Sequence, residues 1–336
     1  MFLNVRVYSS AERDMFERLK QLSAVSRAEF ILPNLGSLIL GLAWGANRTI
    51  DLTSLIILLV LSFSTINLSS VIGAQMNTYY DYELDMKDER RKLLVLAEES
   101  FGRSRLRLAF IVEFVCAFVL VSVFTVTRGK PILFILWGLG IFLGWAYSAT
   151  PLRLKSRSWL APASLFLVLA VFPVLFAYFS FTSTVEPLFL MSLAGLTLTV
   201  YGVIIPTETR DYFGDKAMHV ETLTVHLGLV TASFLGIVFL STGAILTVTS
   251  FLLKFMYDGH LILALFLLSI PVAVLIVLRN FRKLYILSKK FVRNGEQRSC
   301  ADEIVALSAN NPRWIMLVTQ TYSFISVLLL VSKFLL

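Results

Sequence analysis

Two acidic motifs interrupt an otherwise apolar sequence. The first contains Asn77, Asp81 and Asp85, spaced four residues apart. On an α-helix this spacing places the three side chains in one stripe along a single face. Carboxylate and amide oxygens are the ligands that hard cations prefer. A helix end that emerges into water would also carry acidic residues, and the first motif alone does not separate these two interpretations.

The second motif repeats the carboxylate spacing, with Asp211 and Asp215 four residues apart. If the two motif helices face each other, four carboxylates converge on one cavity. Their mutual repulsion then requires cations between them. Because Mg²⁺ keeps few protein ligands and shares its coordination shell with water and substrate phosphates, the pattern favours a diphosphate bound through Mg²⁺.

Basic residues that could hold a diphosphate lie close to both motifs in the sequence. Arg and Lys are the usual partners of phosphate groups. Each could instead be a positively charged membrane anchor, an alternative that is weakest for Arg210 and Lys216 because they alternate with acids. The candidates for diphosphate binding are Asn77, Arg90, Lys92, Arg153, Lys155, Arg210 and Lys216.

The elements that must position these residues are membrane-spanning helices. Of the 336 residues 57% are hydrophobic and only 15% are charged, whereas about 25% are charged in soluble domains. The run from Trp159 to Val185 has no charged residue and exceeds the ~20 residues that span a bilayer. We predict an all-α, polytopic bundle of about nine transmembrane helices around a central cavity: Phe30–Ala46, Leu52–Asn77, Leu108–Thr127, Pro131–Ala149, Trp159–Phe181, Pro187–Glu208, Leu227–Leu253, Leu261–Leu278 and Trp314–Val331.

No repeat or linker divides the chain, which predicts a single transmembrane domain over residues 28–336. Residues 1–27 precede this domain and lack the apolar stretch of a cleavable signal peptide. A helix in this segment would present Met15, Phe16, Leu19 and Leu22 on one apolar face. We therefore expect an N-terminal interfacial segment that lies on the membrane surface.

Lysine and arginine are distributed unevenly between the two sides of the predicted spans. Twenty-five of the 30 lie on the side that carries the N-terminus and both acidic motifs. The positive-inside rule then predicts a cytoplasmic N-terminus and cytoplasmic motif loops, with the C-terminus outside. If the source is a prokaryote, the membrane is the plasma membrane. This bias accounts for the net charge of +8, so the charge gives no reason to expect nucleic-acid binding.

Three motifs, in this order and spacing, resemble those of the UbiA superfamily of intramembrane prenyltransferases. They are the Asn77–Asp85 motif, the segment Tyr147-Ser-Ala-Thr-Pro-Leu-Arg-Leu-Lys155, and the Asp211–Asp215 motif followed by Thr222-Leu and Leu227-Gly228. The resemblance implies two Mg²⁺ ions held by Asn77 and the four aspartates, which are also catalytic. It implies further that Arg153 and Lys155 contact the diphosphate and that Tyr147 lies near the scissile C–O bond.

The activity implied by the resemblance is transfer of a prenyl group from its diphosphate to a lipophilic acceptor. The acceptor could be an aromatic or quinone precursor, or a glycerophosphate-type lipid precursor. A membrane terpene cyclase, which ionises the same substrate without an acceptor, is the alternative. The sequence departs from many members at Asp88-Glu-Arg-Arg-Lys-Leu-Leu, where an Asn-Arg-Pro-Leu segment is common, and at Ala28, which follows Arg27 in place of proline. These departures leave the acceptor open.

A cation transporter is a competing class, because it too would carry carboxylates in a membrane. It predicts acids near the bilayer midplane and repeated halves, whereas these motifs lie at span ends and no repeat is present. Glu113 is the only carboxylate well inside a predicted span. It could orient an acceptor, accept a proton or be a protonated packing residue.

Two further expectations concern the surroundings of the motifs. The π-faces of Tyr79, Tyr80 and Tyr147 could stabilise an allylic cation, although tyrosines at this depth also serve as interfacial anchors. Pro206 removes a backbone hydrogen bond shortly before Asp211. We expect it to kink its helix and turn the second motif towards the first.

Overall fold

The structure is a computed structural model that describes residues 19–27, 31–47, 50–86, 91–217, 220–295, 297–309 and 311–335. Within these ranges the protein is helical throughout, apart from one isolated β-bridge between Ser158 and Thr222. Eight helical segments of the described chain are long and apolar enough to cross a membrane. The protein is therefore an integral membrane protein with several spans, as predicted.

Residues 19–25 are helical, and we number the helices that follow in chain order. They are α1 (Ile31–Gly45), α2 (Leu52–Asp85), α3 (Lys92–Phe101), α4 (Arg103–Arg128), α5 (Pro131–Ser148), α6 (Leu160–Phe166), α7 (Phe172–Phe181), α8 (Pro187–Glu208), α9 (Tyr212–Ala217), α10 (Leu223–Tyr257), α11 (Ser269–Arg293), α12 (Arg298–Ser308) and α13 (Asn311–Leu335). A 3₁₀ turn, Leu154–Ser156, follows α5, a π-helical turn, Leu167–Val171, joins α6 to α7, and a 3₁₀ segment, Leu261–Leu268, precedes α11.

The first predicted span corresponds to α1, which is shorter than expected. Its 15 residues extend about 22 Å at 1.5 Å per residue, against a hydrocarbon core of about 30 Å. The described chain therefore has the predicted nine spans only if the short helix α1 is counted together with the eight longer segments. Gly36 packs on Ser323, and the Lys333 ammonium donates to the Ala46 carbonyl at 2.7 Å. Both contacts show that α1 lies parallel to α13.

The predicted fifth span is interrupted by the π-helical turn between α6 and α7. Pro173 follows this turn and has no backbone N–H, so the Leu169 carbonyl loses its α-helical donor. The Ser37 hydroxyl donates to that carbonyl instead, at 3.3 Å. π-Helical turns often occur at functional sites, and here Val168, Leu169 and Phe172 line the cavity described below.

Helices α8 and α10 pack closely because glycines face each other across their interface. A Cβ atom on Gly195 or Gly202 would overlap the backbone of α10, and a Cβ on Gly243 would overlap the backbone of α8. Small residues allow this approach between membrane helices, where dispersion contacts replace the hydrophobic effect as the source of stability. Helix α10 breaks at Gly228, where φ is 77°, and the glycine contacts lie after this break. The turn before the break lies beside the end of α8, where Thr224 donates to Glu208.

At the end of the bundle opposite the acidic motifs, cations bind backbone carbonyls or acids. Lys130 donates to the Phe179 carbonyl at 2.8 Å, and Arg128 donates to the Ser180 carbonyl at 3.3 Å. The Lys254 ammonium lies 3.5 Å from a carboxylate oxygen of Glu186. Together with Lys333, these are four of the five cations predicted on this side, and Arg48 lies outside the described residues. Each of these cations is bound by oxygen atoms at helix ends. These local contacts explain why they occur on the side that has few lysines and arginines.

Candidate active site

An apolar cavity of about 170 Å³ lies between α2, α5 and the α6–α7 segment. Its walls are aliphatic and aromatic, and its polar end is formed by Arg27, Asn77 and Tyr147. Along α2 the lining extends from Ile66 to Asn77, a rise of about 16 Å. Cavities of this kind, apolar with a few convergent polar groups at one end, are typical of ligand sites.

The first acidic motif lies at this polar end, on the last two turns of α2. Asp81 is only 9% exposed, and the Lys155 ammonium donates a hydrogen bond to its Oδ1 atom. One turn earlier, the Ser148 hydroxyl donates to Oδ1 of Asn77 at 2.9 Å. The end of α5 and the loop after it therefore hold two of the three motif residues.

Charges around the first motif alter the pKa of the groups outside the span. Burial raises the pKa of Asp85, and Arg91 is the strongest opposing influence on it. Burial lowers the pKa of Lys155, an effect that Asp81 opposes most strongly. The first motif and its lysine thus form a partly dehydrated ion cluster, in which each charge depends on its neighbours.

The loop that carries Arg153 and Lys155 also reaches the segment between the second motif and α10. Ser158, three residues beyond Lys155, donates its backbone N–H to the Glu221 carbonyl at 2.8 Å. Arg153 has a left-handed backbone with φ of 38°. Its Nε atom is buried and has no hydrogen-bond partner among the described residues. An unpartnered guanidinium donor at this position is suited to an anionic ligand.

In the second motif, Arg210 forms a bidentate pair with Asp211, at 3.0 Å and 3.2 Å. Asp215 is half-buried, whereas Lys216 is exposed and lies over the Tyr212 ring at 5.6 Å. The motif occupies the turn after α8 and the short helix α9. The bidentate pair places the Arg210 guanidinium directly beside the Asp211 carboxylate, as the alternation of acidic and basic residues in the sequence indicated.

Glu208, the last residue of α8, belongs to the same cluster. The backbone N–H and the hydroxyl of Thr224 both donate to its Oε2 atom at 3.2 Å. Glu208 also lies close enough to Asp211 and Asp215 to interact with both charges. Thr222 caps α10 by accepting from the Val225 N–H, and this cap fixes the Thr224 donors in place.

Tyr147 connects the two motifs. Its hydroxyl lies within electrostatic interaction distance of Asp81 in the first motif and of Glu208 beside the second. The positive charges of Arg27 and Arg91 are also close enough to act on it. The structure therefore brings both acidic motifs and the Arg153–Lys155 loop to one end of the bundle, around the polar end of the cavity.

The donor set at this end agrees with the chemistry of Mg²⁺, although the carboxylates are not gathered into a ready metal cage. No group of three or more His, Cys, Asp or Glu that could hold a metal ion is present among the described residues. Asp81 and Asp211 instead contact Lys155 and Arg210. The available oxygen ligands still fit Mg²⁺, because this ion takes one or two carboxylates and completes its shell with water and substrate phosphates.

Three residues at the site were not identified as candidates from the sequence: Arg27, Glu98 and Glu208. Glu98 is 1% exposed and lies 3.4 Å from Arg103. Burial raises its pKa to about 7, and Asp85 and Asp81 are near enough to add to the effect. Two of these residues could have been found from their positions in the sequence. Glu208 precedes Asp211 by three residues, and Glu98 falls on the apolar face of the amphipathic helix α3.

Several candidate residues lie away from the cavity. Arg90 is outside the described residues, and Lys92 is exposed at the start of α3. Tyr79 packs against Phe110 with ring centroids 5.8 Å apart, and Tyr80 is 42% exposed. Neither tyrosine is among the residues that line the cavity, so the structure does not support their predicted role towards an allylic cation.

Pro206, where the sequence predicts a kink, lies in the last turn of α8. α8 stops at Glu208, two residues after the proline. The Pro206 carbonyl accepts from the Thr209 hydroxyl at 2.6 Å and from the Asn311 amide at 2.9 Å. These side chains replace the donors that a continuing helix would supply. The chain therefore turns into the second motif immediately after Glu208.

The chain belongs to the UbiA prenyltransferase family, whose model matches residues 34–290. This match covers all three motifs that suggested the family. No curated protein sequence matches the chain.

Solved structures of other proteins share the fold at low sequence identity. One, from a study of digeranylgeranylglyceryl phosphate synthase in membranes, aligns with a TM-score of 0.60 and 14% identity, over 93% of this chain and 99% of that one. A UbiA homologue from Archaeoglobus fulgidus bound to GPP and Mg²⁺ aligns with a TM-score of 0.55 and 15% identity, over 89% and 99%. The same homologue bound to DMAPP and Mg²⁺ gives the same values.

Proposed function

We propose that the protein transfers a prenyl group from a prenyl diphosphate to a lipophilic acceptor within the membrane, in an Mg²⁺-dependent reaction. The observation that carries this proposal is the cavity, which is apolar along α2 and has Arg27, Asn77 and Tyr147 at its polar end. A prenyl diphosphate has the matching chemistry, with an apolar tail and a highly charged head.

The diphosphate would lie between the two motifs, where cations and acids already pair with each other. Lys155 and Arg153 face it from the loop after α5, and Arg210 faces it from the second motif. Asn77, in the first motif, completes this set. Support comes from the Archaeoglobus fulgidus relative, which was solved with GPP and Mg²⁺ and with DMAPP and Mg²⁺.

Asn77, Asp81, Asp85, Asp211 and Asp215 are the residues that would hold Mg²⁺, as two ions. When bound, these ions would neutralise the diphosphate and stabilise it as a leaving group. The Lys155 ammonium is hydrogen-bonded to the Asp81 carboxylate in the present structure. We infer that its ammonium turns from Asp81 to a phosphate oxygen when substrate binds, so that Asp81 becomes free to act as a ligand.

The remaining residues act on the prenyl group itself. As the C–O bond breaks, positive charge develops on the allylic C1 atom, and the π-face of Tyr147, which lines the cavity, would stabilise it. The apolar walls exclude the water that would otherwise trap the cation. The acceptor then attacks C1 and loses a proton, while the fixed cations of the site stabilise the departing diphosphate.

Product analysis tests this function. The purified protein is incubated with Mg²⁺ and with geranyl, farnesyl or geranylgeranyl diphosphate, with and without an extract of membrane lipids. Release of diphosphate together with a prenylated lipid that forms only when extract is present supports the proposal. A cyclic hydrocarbon formed without extract would assign the protein to the terpene cyclases, and no consumption of any diphosphate would refute both activities.

A further inference from the structure

A buried chain of hydrogen bonds links three parts of the molecule behind the polar end of the cavity. Gln75 of α2 is fully buried. Its Nε2 atom donates to the Ser26 hydroxyl at 2.9 Å and to Oε1 of Glu113, on α4, at 3.1 Å. One turn further along α2, the Thr78 hydroxyl donates to the Val25 carbonyl at 3.3 Å. Side chains of α2 thus hold the segment over residues 19–27, and α4 contacts the same Gln75 through Glu113.

Two oxygens in this chain lack a donor. Oε1 of Gln75 and Oε2 of Glu113 are both buried without a hydrogen-bond partner in the part of the chain that the structure describes. In the same part, no lysine or arginine forms an ion pair with Glu113. A buried carboxylate without a cation is costly, and so is a buried acceptor without a donor.

We propose that Glu113 is a neutral carboxylic acid that donates the proton on its Oε2 atom to Oε1 of Gln75. The amide and the carboxyl then exchange two hydrogen bonds, one in each direction, and both unpartnered oxygens are satisfied. No charge remains in this part of the membrane, where its burial would be unfavourable. Glu113 is then neither a proton acceptor nor part of an ion path.

The same pair acts as a positioning device for Arg27. Ser26, which accepts from Gln75, directly precedes Arg27, and Arg27 has a left-handed backbone with φ of 47°. This conformation is unfavourable for a residue with a Cβ atom, so surrounding contacts must hold it. Arg27 lines the polar end of the cavity and lies close enough to Asp85 to influence its charge. That Arg27 serves substrate binding rests on the proposed function.

Infrared spectroscopy of the purified protein tests the protonation of Glu113 without any assay of function. Spectra are recorded above pH 8, where Glu98 is ionised, and the wild-type minus Glu113→Gln difference spectrum should show the carbonyl stretch of a protonated carboxylic acid. Glu113→Gln should keep the wild-type melting temperature, because its amide supplies the same donor to Gln75. If the difference spectrum shows the loss of a carboxylate band instead, Glu113 is ionised and the proposal is wrong.

Calorimetric titration with geranyl diphosphate and Mg²⁺ tests the positioning role. We expect Gln75→Leu and Arg27→Gln each to raise Kd roughly tenfold, and the double variant to raise it no further, since contacts that act through one another are not additive. The exchange Gln75→Glu with Glu113→Gln restores an acid–amide pair, and should return Kd to within roughly threefold of the wild type.

The outcomes separate the two proposals. Additive losses in the Gln75→Leu and Arg27→Gln double variant would show that Gln75 acts independently of Arg27 and would overturn the positioning role. A wild-type protein that binds no geranyl diphosphate, with the Glu113 carboxylic acid band present, would refute the proposed function and leave the acid–amide pair standing.

Discussion

The Lys155 ammonium donates a hydrogen bond to Oδ1 of Asp81, and this contact joins the loop after α5 to the first acidic motif. It shows how a fixed ammonium group offsets the charge of an acid at the end of a membrane helix. The same loop binds the Glu221 carbonyl through Ser158. One short segment therefore joins the first motif to the segment after the second and carries the cations that would meet a diphosphate.

Substitution of the first-motif acid should remove activity and leave the fold intact. We expect Asp81→Ala to lower kcat by at least ~10²-fold, the loss typical of one preorganised electrostatic element. Asp215→Ala should have a similar effect. The rate of diphosphate release by each purified variant measures the loss in kcat.

Asp51 is a matched control, because it is an exposed acid at the other end of α2. Its carboxylate accepts from the Ser54 N–H at 2.9 Å and caps the helix. Asp51→Ala should therefore lower the melting temperature through the lost cap, without changing kcat. Equal losses of activity in Asp51→Ala and Asp81→Ala would contradict the assignment of the first motif.

Metal removal should abolish turnover. The four aspartates of the two motifs and a diphosphate together carry more negative charge than the nearby lysines and arginines can neutralise, so an added divalent ion is required. Excess EDTA should eliminate diphosphate release, and added Mg²⁺ or Mn²⁺ should restore it. Calorimetry should also show weaker binding of the substrate without metal. Full activity in EDTA would refute the metal assignment.

Filling the cavity should shorten the prenyl chain that the protein accepts. Gly140 lines the cavity, and a Cβ atom there would meet only the Phe172 ring, at 3.7 Å. Gly140→Leu should lower kcat/KM for geranylgeranyl diphosphate more than for geranyl diphosphate, by about 1–3 kcal/mol in the difference. Gly138 lies on the same helix but does not line the cavity. Gly138→Leu should leave the ratio unchanged, and a shift of similar size there would show that the effect is not local.

The stability of the site end of the bundle should depend on the ionisation of Glu98. Burial raises its pKa from 4.5 to about 7, so the folded protein favours the protonated acid. The resulting stabilisation is complete below pH 4.5 and is lost as the pH rises through 7. Glu98→Gln cannot ionise, and the wild type should therefore lose melting temperature relative to this variant between about pH 5 and pH 8.

A neighbouring acid controls for the Glu98 measurement. Glu99 is exposed and accepts from the Tyr82 hydroxyl at 2.9 Å. Glu99→Gln should follow the wild-type pH profile of the melting temperature. A profile in which Glu98→Gln also matches the wild type would show that Glu98 is already ionised throughout this range.

Much of the fold could be predicted from the sequence because membrane helices are specified by local properties. Long apolar runs gave the spans, and the four-residue spacing gave the stripe of Asn77, Asp81 and Asp85 on α2. Helix α1 was the exception. Its apolar residues predicted a span, but the helix is shorter than the predicted segment. Backbone hydrogen bonding within each segment makes such predictions largely independent of packing.

The cavity and several site residues could not be predicted, because they depend on which helices meet. Glu208 joins the site through Thr224, which lies beside it in the first turn of α10. Arg27 reaches the cavity because buried side chains on α2 hold the segment before α1. No spacing rule connects residues so far apart in the chain, and only tertiary packing places them together.

Topology is the last prediction, and access of the site to cytoplasmic substrates depends on it. The predicted spans assign 25 of the 30 Lys and Arg residues to the side of the acidic motifs, so we expect that end to face the cytoplasm. The four cations described at the opposite end bind carbonyls or acids locally. Because these local contacts account for the four cations, their presence on this side does not contradict the positive-inside rule.

Cysteine labelling in intact cells measures this orientation. Cys116 and Cys300 are the native cysteines, and both are first replaced by alanine. Ser104 and Ser183 are exposed serines at opposite ends of the bundle, so Ser104→Cys and Ser183→Cys are matched, nearly isosteric probes. An impermeant maleimide should modify Ser183→Cys from outside and should modify Ser104→Cys only after lysis. Labelling of Ser104→Cys in intact cells would place both motifs outside, away from the Mg²⁺ and prenyl diphosphates of the cytoplasm, and the proposed reaction could not proceed as described.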